Sequence, residues 1–287
     1  MLSTSQQRVI LVTGANKGIG FEVVKKLANE SSLINNLILL GCRDLKRGEN
    51  ALIRLGSPPN VHLLHLDVSL QESITHATNQ IKYKYDGQLD VVINNAAIGE
   101  LQLTVDVARS MFATNYYGIK TLNEHLFPLI RENGRVINVV SMCGSILLSE
   151  ASKDLQEKYL SSTLTTEQLD RLVEDFISAI GTNSFEELGY NPKSSYLIYS
   201  VTKAAVIALT RIEARQWSRA KNVLVLSVCP GFCATDMNKN APGAHSAELG
   251  ADSILYVVNT PQNELGNGCF YRYGQQLSPI CMINDKN

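Results

Sequence analysis

From residue 8 onward the chain alternates short unbroken apolar runs with stretches whose apolar residues recur every three or four positions. The runs are "RVILVTG" (8–14), "NLILLGC" (36–42), "VHLLHLDV" (61–68), "LDVVINNAA" (89–97), "RVINVVS" (135–141) and "NVLVLSVCPG" (222–231). Each is continuous in Val, Ile and Leu rather than alternating with polar residues, the pattern of a strand covered on both faces. "GCFYRYG" (268–274) reads as a last strand. After the first run, Ile19, Val23, Val24 and Leu27 fall on one helical face. Strands alternating with helices predict an α/β fold: a doubly wound, Rossmann-type parallel sheet of seven strands with helices on both faces and right-handed crossovers. The pattern runs through residues 1–287 as a single domain, without internal repeat or low-complexity tract.

One stretch breaks the rhythm. A strand-to-helix connection usually needs only about 2–6 residues, yet the chain from Ser141 to Tyr199 is far longer. Residues 150–192 therefore read as a helical insertion. Within it Thr165 and Gln168 form a capping-box pattern, and Leu169, Leu172, Val173, Phe176, Ile177 and Ile180 fall on one stripe. Gly181 suits the helix end. The insertion has an apolar face to bury.

Composition adds exclusions. The 287 residues are 45% hydrophobic and 18% charged, with a formal net charge of −1. That balance lacks the basic excess of a nucleic-acid binder. No run reaches the roughly 18 apolar residues of a membrane span, and the amino terminus lacks a signal-peptide pattern. The six cysteines (42, 143, 229, 233, 269 and 281) are scattered. Cys229 and Cys233 lie four apart, but no second pair or His cluster completes a metal site, so no metal is expected. Free thiols in a reducing cytoplasm are the expectation.

"TGANKGIG" (13–20) joins the first strand to the first helix. Glycines there allow a tight turn and close approach to a pyrophosphate, which the helix N-terminus attracts with amide donors and partial positive charge. The spacing differs from both the Gly-x-Gly-x-x-Gly fingerprint and the Gly-Lys-Ser/Thr phosphate loop. At the end of the second strand an NAD enzyme usually carries an acid for the ribose 2′-hydroxyl. Here Cys42 holds that place and Arg43 follows, with Arg47 and Lys17 nearby. A guanidinium grips a 2′-phosphate in bidentate fashion, so the cofactor is expected to be NADP(H). Asp44 is the counter-argument, because a register shift of two residues would make it the NAD-selecting acid.

"YSVTK" (199–203) places Tyr199 one helical turn before Lys203, on the same face. "YYGIK" repeats the spacing as Tyr116 and Lys120, but Gly118 weakens that helix and no strand-end motif accompanies it. Reducing a ketone requires a hydride at carbon and a proton at oxygen. A free phenol titrates near about pH 10, and a neighbouring ammonium in a dry cleft is expected to pull Tyr199 down by about three units, ~4 kcal/mol. Ser141, at a strand's carboxyl end, is placed to donate to the substrate oxygen. Cys143 and Cys229 lie near these residues, either as reactive thiols or as inert pocket lining.

In the order and spacing of "TGANKGIG", "LDV" (66–68), "NNAA" (94–97), "TNYYG", "NVVS", "YSVTK" and "PGFCATDM" (230–237), the chain resembles the short-chain dehydrogenases/reductases over roughly residues 8–275. "GANKGIG", "CRDLKRG" and the long insertion are similar to the monomeric NADPH-dependent carbonyl reductases, and some plant alkaloid and terpenoid ketone reductases carry such an insertion. The resemblance implies a catalytic tetrad of Asn115, Ser141, Tyr199 and Lys203, with Asn115 holding a proton-relaying water. It implies a cofactor lined by Gly14, Asn16, Lys17, Gly18, Ile19 and Gly20 at the pyrophosphate, Arg43 and Arg47 at the 2′-phosphate, and Asp67 and Val68 at the adenine. Asn94 and Ala96 would line the ribose wall, Pro230, Phe232 and Thr235 the nicotinamide, and Tyr199 and Lys203 would also touch the cofactor. Ala97 stands where the family usually has Gly.

The activity implied is NADPH-dependent reduction of small-molecule aldehydes, ketones and quinones to alcohols, with Tyr199 as general acid. A dedicated reductase of one metabolite and a cofactor-binding regulator without turnover remain alternatives. In oligomeric relatives the helices after the fourth and fifth strands meet a second subunit. The insertion's stripe could cover that surface and leave a monomer, or form a substrate-side flap.

Overall fold

The structure, a computed structural model, describes residues 7–30, 35–85 and 87–280. Residues 1–6 of the amino-terminal pattern and Cys281 therefore lie outside the described residues. The strands are β1 (Arg8–Thr13), β2 (Asn36–Cys42), β3 (Val61–His65), β4 (Leu89–Asn94), β5 (Ile130–Val139), β6 (Leu224–Cys229), β7 (Phe270–Arg272) and β8 (Gln275–Leu277). The helices are α1 (Gly18–Ala28), α2 (Leu45–Arg54), α3 (Gln71–Lys84), α4 (Val105–Phe112), α5 (Gly118–Leu126), α6 (Met142–Glu150), α7 (Lys153–Leu160), α8 (Thr166–Thr182), α9 (Leu197–Lys221) and α10 (Ala247–Asn259).

The strands form one sheet in the order β3-β2-β1-β4-β5-β6-β7-β8. All neighbours are parallel except β7 and β8. Helices cover both faces, as alternation along β1 shows. Ile10 and Val12 pack with Phe21, Val24 and Ile254 of α1 and α10, whereas Val9 and Leu11 pack with Ile74, Leu122 and Trp217 of α3, α5 and α9. The chain winds outward from β1 in one direction and from β4 in the other. Their carboxyl ends thus open a cleft at the switch point, where such sheets bind ligands.

Two strand expectations need correction. The sheet has an eighth strand, because β7 turns back after Tyr273 and pairs antiparallel with β8; its "QQL" has no apolar run to announce it. β5 starts at Ile130 rather than Arg135, through polar residues in which Asn133 takes a left-handed φ of 61° and the pairing with β4 shifts register.

The insertion holds α7 and α8. The Thr165–Gln168 capping box forms on both sides, but α8 runs to Thr182 and ends on Asn183 in the left-handed conformation rather than on Gly181. Leu169, Val173, Phe176, Ile177 and Ile180 are buried against α4 and α9, with Leu172 half-buried. Arg211 and Arg215 of α9 donate to the carbonyls of Tyr159, Leu160 and Leu164, tying down the turn between α7 and α8. The second Tyr-x-x-x-Lys finds its role here: the Tyr116 hydroxyl and the Lys120 ammonium both donate to Asp170 of α8, at 2.8 and 2.6 Å. That pair anchors the insertion.

Candidate active site

The glycine turn closes the switch point from the β1 side. Gly14 has φ +62°, and a Cβ there would stand 2.8 Å from the Ala96 Cα beyond β4. The two strand ends therefore touch only because residue 14 has no side chain. Thr13 Oγ1 accepts from the backbone amides of Asn95 and Ala96 at 3.0 Å each, and the Asn95 side-chain Nδ2 donates to the carbonyls of Thr13 and Gly14. Beyond the turn, Lys17 stands at the N-cap of α1 without a side-chain cap bond, and no acidic residue occupies the first turn. Asn16, Gly18, Ile19 and Gly20 thus lead into an α1 N-terminus whose amides face the cleft uncapped, the donor set that fits a pyrophosphate.

At the tip of β2, Arg43 and Arg47 are exposed. Asp44 is the N-cap of α2: its carboxylate accepts from the Arg47 amide at 3.0 Å and sits 3.4 Å from the Arg47 Nε. The acid that a shifted register would offer to a ribose 2′-hydroxyl is committed to starting a helix. This arrangement fits a cofactor with a 2′-phosphate better than one without. Asp67 and Val68 follow β3, and the Asp67 carboxylate accepts from the Ser69 amide and hydroxyl.

One residue stands elsewhere than expected, and two others make contacts that the motifs do not show. Asn94 is 1% exposed and donates to Asn123 and Asn138 at 2.7 and 2.8 Å, so its side chain lies in the core under the sheet and not on a ribose wall. Its neighbour Asn95 is the one that reaches the glycine turn. Lys17 pairs with Asp236 at 2.7 Å, and Arg47 acts on the same carboxylate, so the three charges share one neighbourhood. Through that pair, and through Thr235 lying 3.4 Å from where a Gly18 Cβ would be, the Pro230–Met237 loop rests on the glycine turn with Phe232 exposed. Asn115 is fully buried, and its amide is spent on the Ile98 backbone and Thr202. A water-holding role would fall to its main chain: residues 113–117 form a π-helical turn between α4 and α5, a distortion that often marks functional sites.

The proton-handling groups converge at the ends of β5 and β6. Ser141 is the N-cap of α6 and accepts from the Cys143 amide. α9 brings Tyr199 within hydrogen-bonding reach of Ser141, and Lys203 lies 5.5 Å from the Tyr199 ring centroid. The crossing that sets this geometry is at Gly144, where a Cβ would come within 2.6 and 2.7 Å of the backbone of Ala204 and Lys203. Thr202 ties the turn together, donating to the Tyr199 carbonyl while accepting from Asn115.

Electrostatically the pair differs from expectation. Lys203 is 2% exposed and its ammonium donates to the Val139 carbonyl at 3.0 Å. Burial lowers its pKa to about 8. Burial also holds the Tyr199 phenol well above its ordinary value, with only the Ser141 hydrogen bond pulling the other way. Desolvation is the largest cause, and the Lys203 ammonium is hydrogen-bonded to a main-chain carbonyl. Tyr199 therefore keeps its proton at neutral pH, the state an acid catalyst needs.

No helix among the described residues is long and apolar enough to cross a membrane, and no group of three or more His, Cys, Asp or Glu residues there could hold a metal. Signals for the residues that sequence reasoning missed were weak: Thr13, Asn95, Thr202 and Asp236 all sit inside recognised motifs, at positions whose side-chain direction the strand or helix decides.

Residues 8–153 match the short chain dehydrogenase family, and residues 150–271 match the family described as enoyl-(acyl carrier protein) reductase. The chain is 35% identical to carbonyl reductase (NADPH) 1 of Sus scrofa, covering 92% of this chain and 91% of that protein. It is 30% identical to (+)-neomenthol dehydrogenase of Capsicum annuum, over 94% and 97%. Among solved structures, salutaridine reductase from Papaver somniferum superposes with a TM-score of 0.81 at 28% identity, covering 92% of this chain and 99% of that one. The chain belongs to the short-chain dehydrogenase/reductase family.

Proposed function

We propose that the protein reduces small carbonyl compounds to alcohols with NADPH. The observation that carries the reading is the convergence of Ser141, a protonated Tyr199 and a buried Lys203 at the sheet edge that also holds the uncapped α1 N-terminus. The name of the Sus scrofa relative, at 35% identity, supports the same activity and cofactor. When bound, the nicotinamide supplies the hydride. Ser141 donates to the substrate oxygen, Tyr199 gives its proton to that oxygen as charge builds, and Lys203 stabilises the phenolate that remains. NADPH oxidation against a panel of aldehydes, ketones and quinones, with NADH as control, tests the reading; no turnover of any carbonyl would end it. A broad response separates a general carbonyl reductase from a reductase of one metabolite.

The cofactor reading makes its own prediction. Arg43→Ala is expected to lower the preference for NADPH over NADH about 10- to 100-fold, because a charge-assisted contact to the 2′-phosphate is lost. It would show as a rise in KM for NADPH with KM for NADH unchanged. Equal changes with both cofactors would remove Arg43 from that role.

A monomer belongs to the same proposal. α8 lies across α4 and α9, the faces on which oligomeric relatives associate, and it is pinned by Asp170 and by the Tyr117 hydroxyl donating to Glu174 at 2.7 Å. Gel filtration at micromolar concentration is expected to give one chain's mass, and a dimer or tetramer would overturn it. The five described cysteines are free thiols, which supports a reducing, cytoplasmic setting.

A further inference from the structure

β7 carries a cation that the reaction above does not use. Arg272 is the last residue of β7 and pairs in register with Cys229, the last residue of β6. Phe270 packs in the cluster beneath α6 and α9, as Cys229 does, while Tyr271 packs on the opposite face. Alternation along the strand puts Arg272 on the side of Phe270, the face of Tyr199 and Lys203. Strands lie about 4.8 Å apart, so two strands separate the tip of β7 from that of β5 by on the order of 10 Å. A substrate of about that length would bridge the two strand tips.

The side chain is held, and no counter-charge among the described residues neutralises it. Its guanidinium lies 5.1 Å from the Tyr273 ring centroid. Tyr273 is fixed in a left-handed φ of 47°, its amide donates to Ser253, and its hydroxyl fills the place that a Gly231 Cβ would take. Among the described residues Arg272 makes no ion pair, and its Nε is buried with no hydrogen-bond partner. Its charge also reaches this end of the sheet: burial pushes the Cys229 thiol up, and the Gly231 and Met142 backbone and then Arg272 pull it back. The segment after β8 closes this side, since Ser145 of α6 donates to the carbonyls of Ser278 and Pro279. Arg272 as a whole is half-buried, but a buried Nε–H without a partner is costly unless something completes it.

We propose that Arg272 recognises a carboxylate on the substrate, so that carbonyl compounds bearing an acid group on the far side of the reacting carbon are preferred over their neutral analogues. The proposal rests on the carbonyl-reductase reading and deepens it. Arg272 sits on the substrate side, away from the Arg43 end of the cleft, and its planar fork matches a carboxylate in bidentate fashion.

The test compares 4-carboxybenzaldehyde with its neutral methyl ester. Wild type is expected to favour the acid through KM, and Arg272→Gln to lower the ratio of kcat/KM for acid over ester at least tenfold. Arg272→Lys should keep part of that ratio. An equal fall with both substrates would mean that the guanidinium only packs on Tyr273, and would overturn the proposal. A measurement without turnover separates it from the activity itself: benzoate binding to the NADPH-loaded wild type, by calorimetry, should exceed benzamide binding at least tenfold. Equal binding of the two would also overturn the proposal. If neither aldehyde is reduced yet benzoate is bound and Arg272→Gln loses it, the reductase reading fails and the anion site stands.

Discussion

Tyr199→Phe is expected to lower carbonyl-dependent NADPH oxidation by a factor of about 10³, within the usual range for removing a positioned general acid. NADPH binding, followed by its fluorescence, should change little, because the ring and its packing are kept. The loss should appear in kcat, since the proton is needed only as the alkoxide forms. The protonation states set the pH profile. Tyr199 is held well above its ordinary value by burial and remains a donor throughout the neutral range. Lys203 titrates at about 8, so the ammonium that would stabilise the phenolate is present below that pH and lost above it. Reduction is therefore expected to hold from about pH 6 to 7.5 and to fall as pH rises through 8. A Tyr199→Phe enzyme retaining a tenth of the wild-type kcat would remove Tyr199 from the acid role. A regulator without turnover would show no activity to lose.

Much of this arrangement was legible in the chain, because the parallel sheet writes itself as continuous Val/Ile/Leu runs and the cleft as motifs at strand ends. Ser141, Tyr199 and Lys203 fall together as expected. What the chain does not show is side-chain direction and the identity of partners remote in sequence. "NNAA" contains two adjacent asparagines, and a strand sends neighbours to opposite sides: Asn94 goes into the core with Asn123 and Asn138, while Asn95 turns to the glycine loop. Lys17 and Asp236 are remote in sequence, so their ion pair could not be read from either motif alone. The protonation of Tyr199 is not legible in the chain, because proximity in a helix fixes a face but neither a direction nor a degree of burial. The Lys203 ammonium points to the Val139 carbonyl, and the balance between desolvation and attraction depends on that direction. Nothing in "FYRYG" says which face Arg272 takes. The insertion was recognised by length and stripe, but its anchor needed the fold: Tyr116 and Lys120 look like a spare catalytic pair until Asp170 is seen between them.

The network around Asn94 carries the second large effect. Glu213 of α9 is 3% exposed, and Asn123 donates to both its oxygens at 3.2 and 3.0 Å. Those bonds soften but do not offset the burial, which raises its pKa from 4.5 to about 8. A carboxyl whose folded pKa lies above its unfolded value contributes stability that is fully present below about pH 4.5 and is lost as pH rises through 8, because the folded state must then ionise a buried acid or hold its proton at a cost. The shift corresponds to at most about 5 kcal/mol. Glu213→Gln removes the titration, and the side chain keeps one acceptor for Asn123. The variant should melt within a few degrees of wild type at pH 5, where one hydrogen bond of about 1 kcal/mol is at stake. At pH 8.5 it should melt clearly higher, and the gap between the two proteins should widen steadily between those values. Taking the difference cancels the other groups that titrate in both proteins. A gap that is the same at pH 5 and pH 8.5 would mean that Glu213 ionises freely in the folded chain, by admitting water to the space between α5, α9 and β5, and that the core there is wetter than its burial indicates.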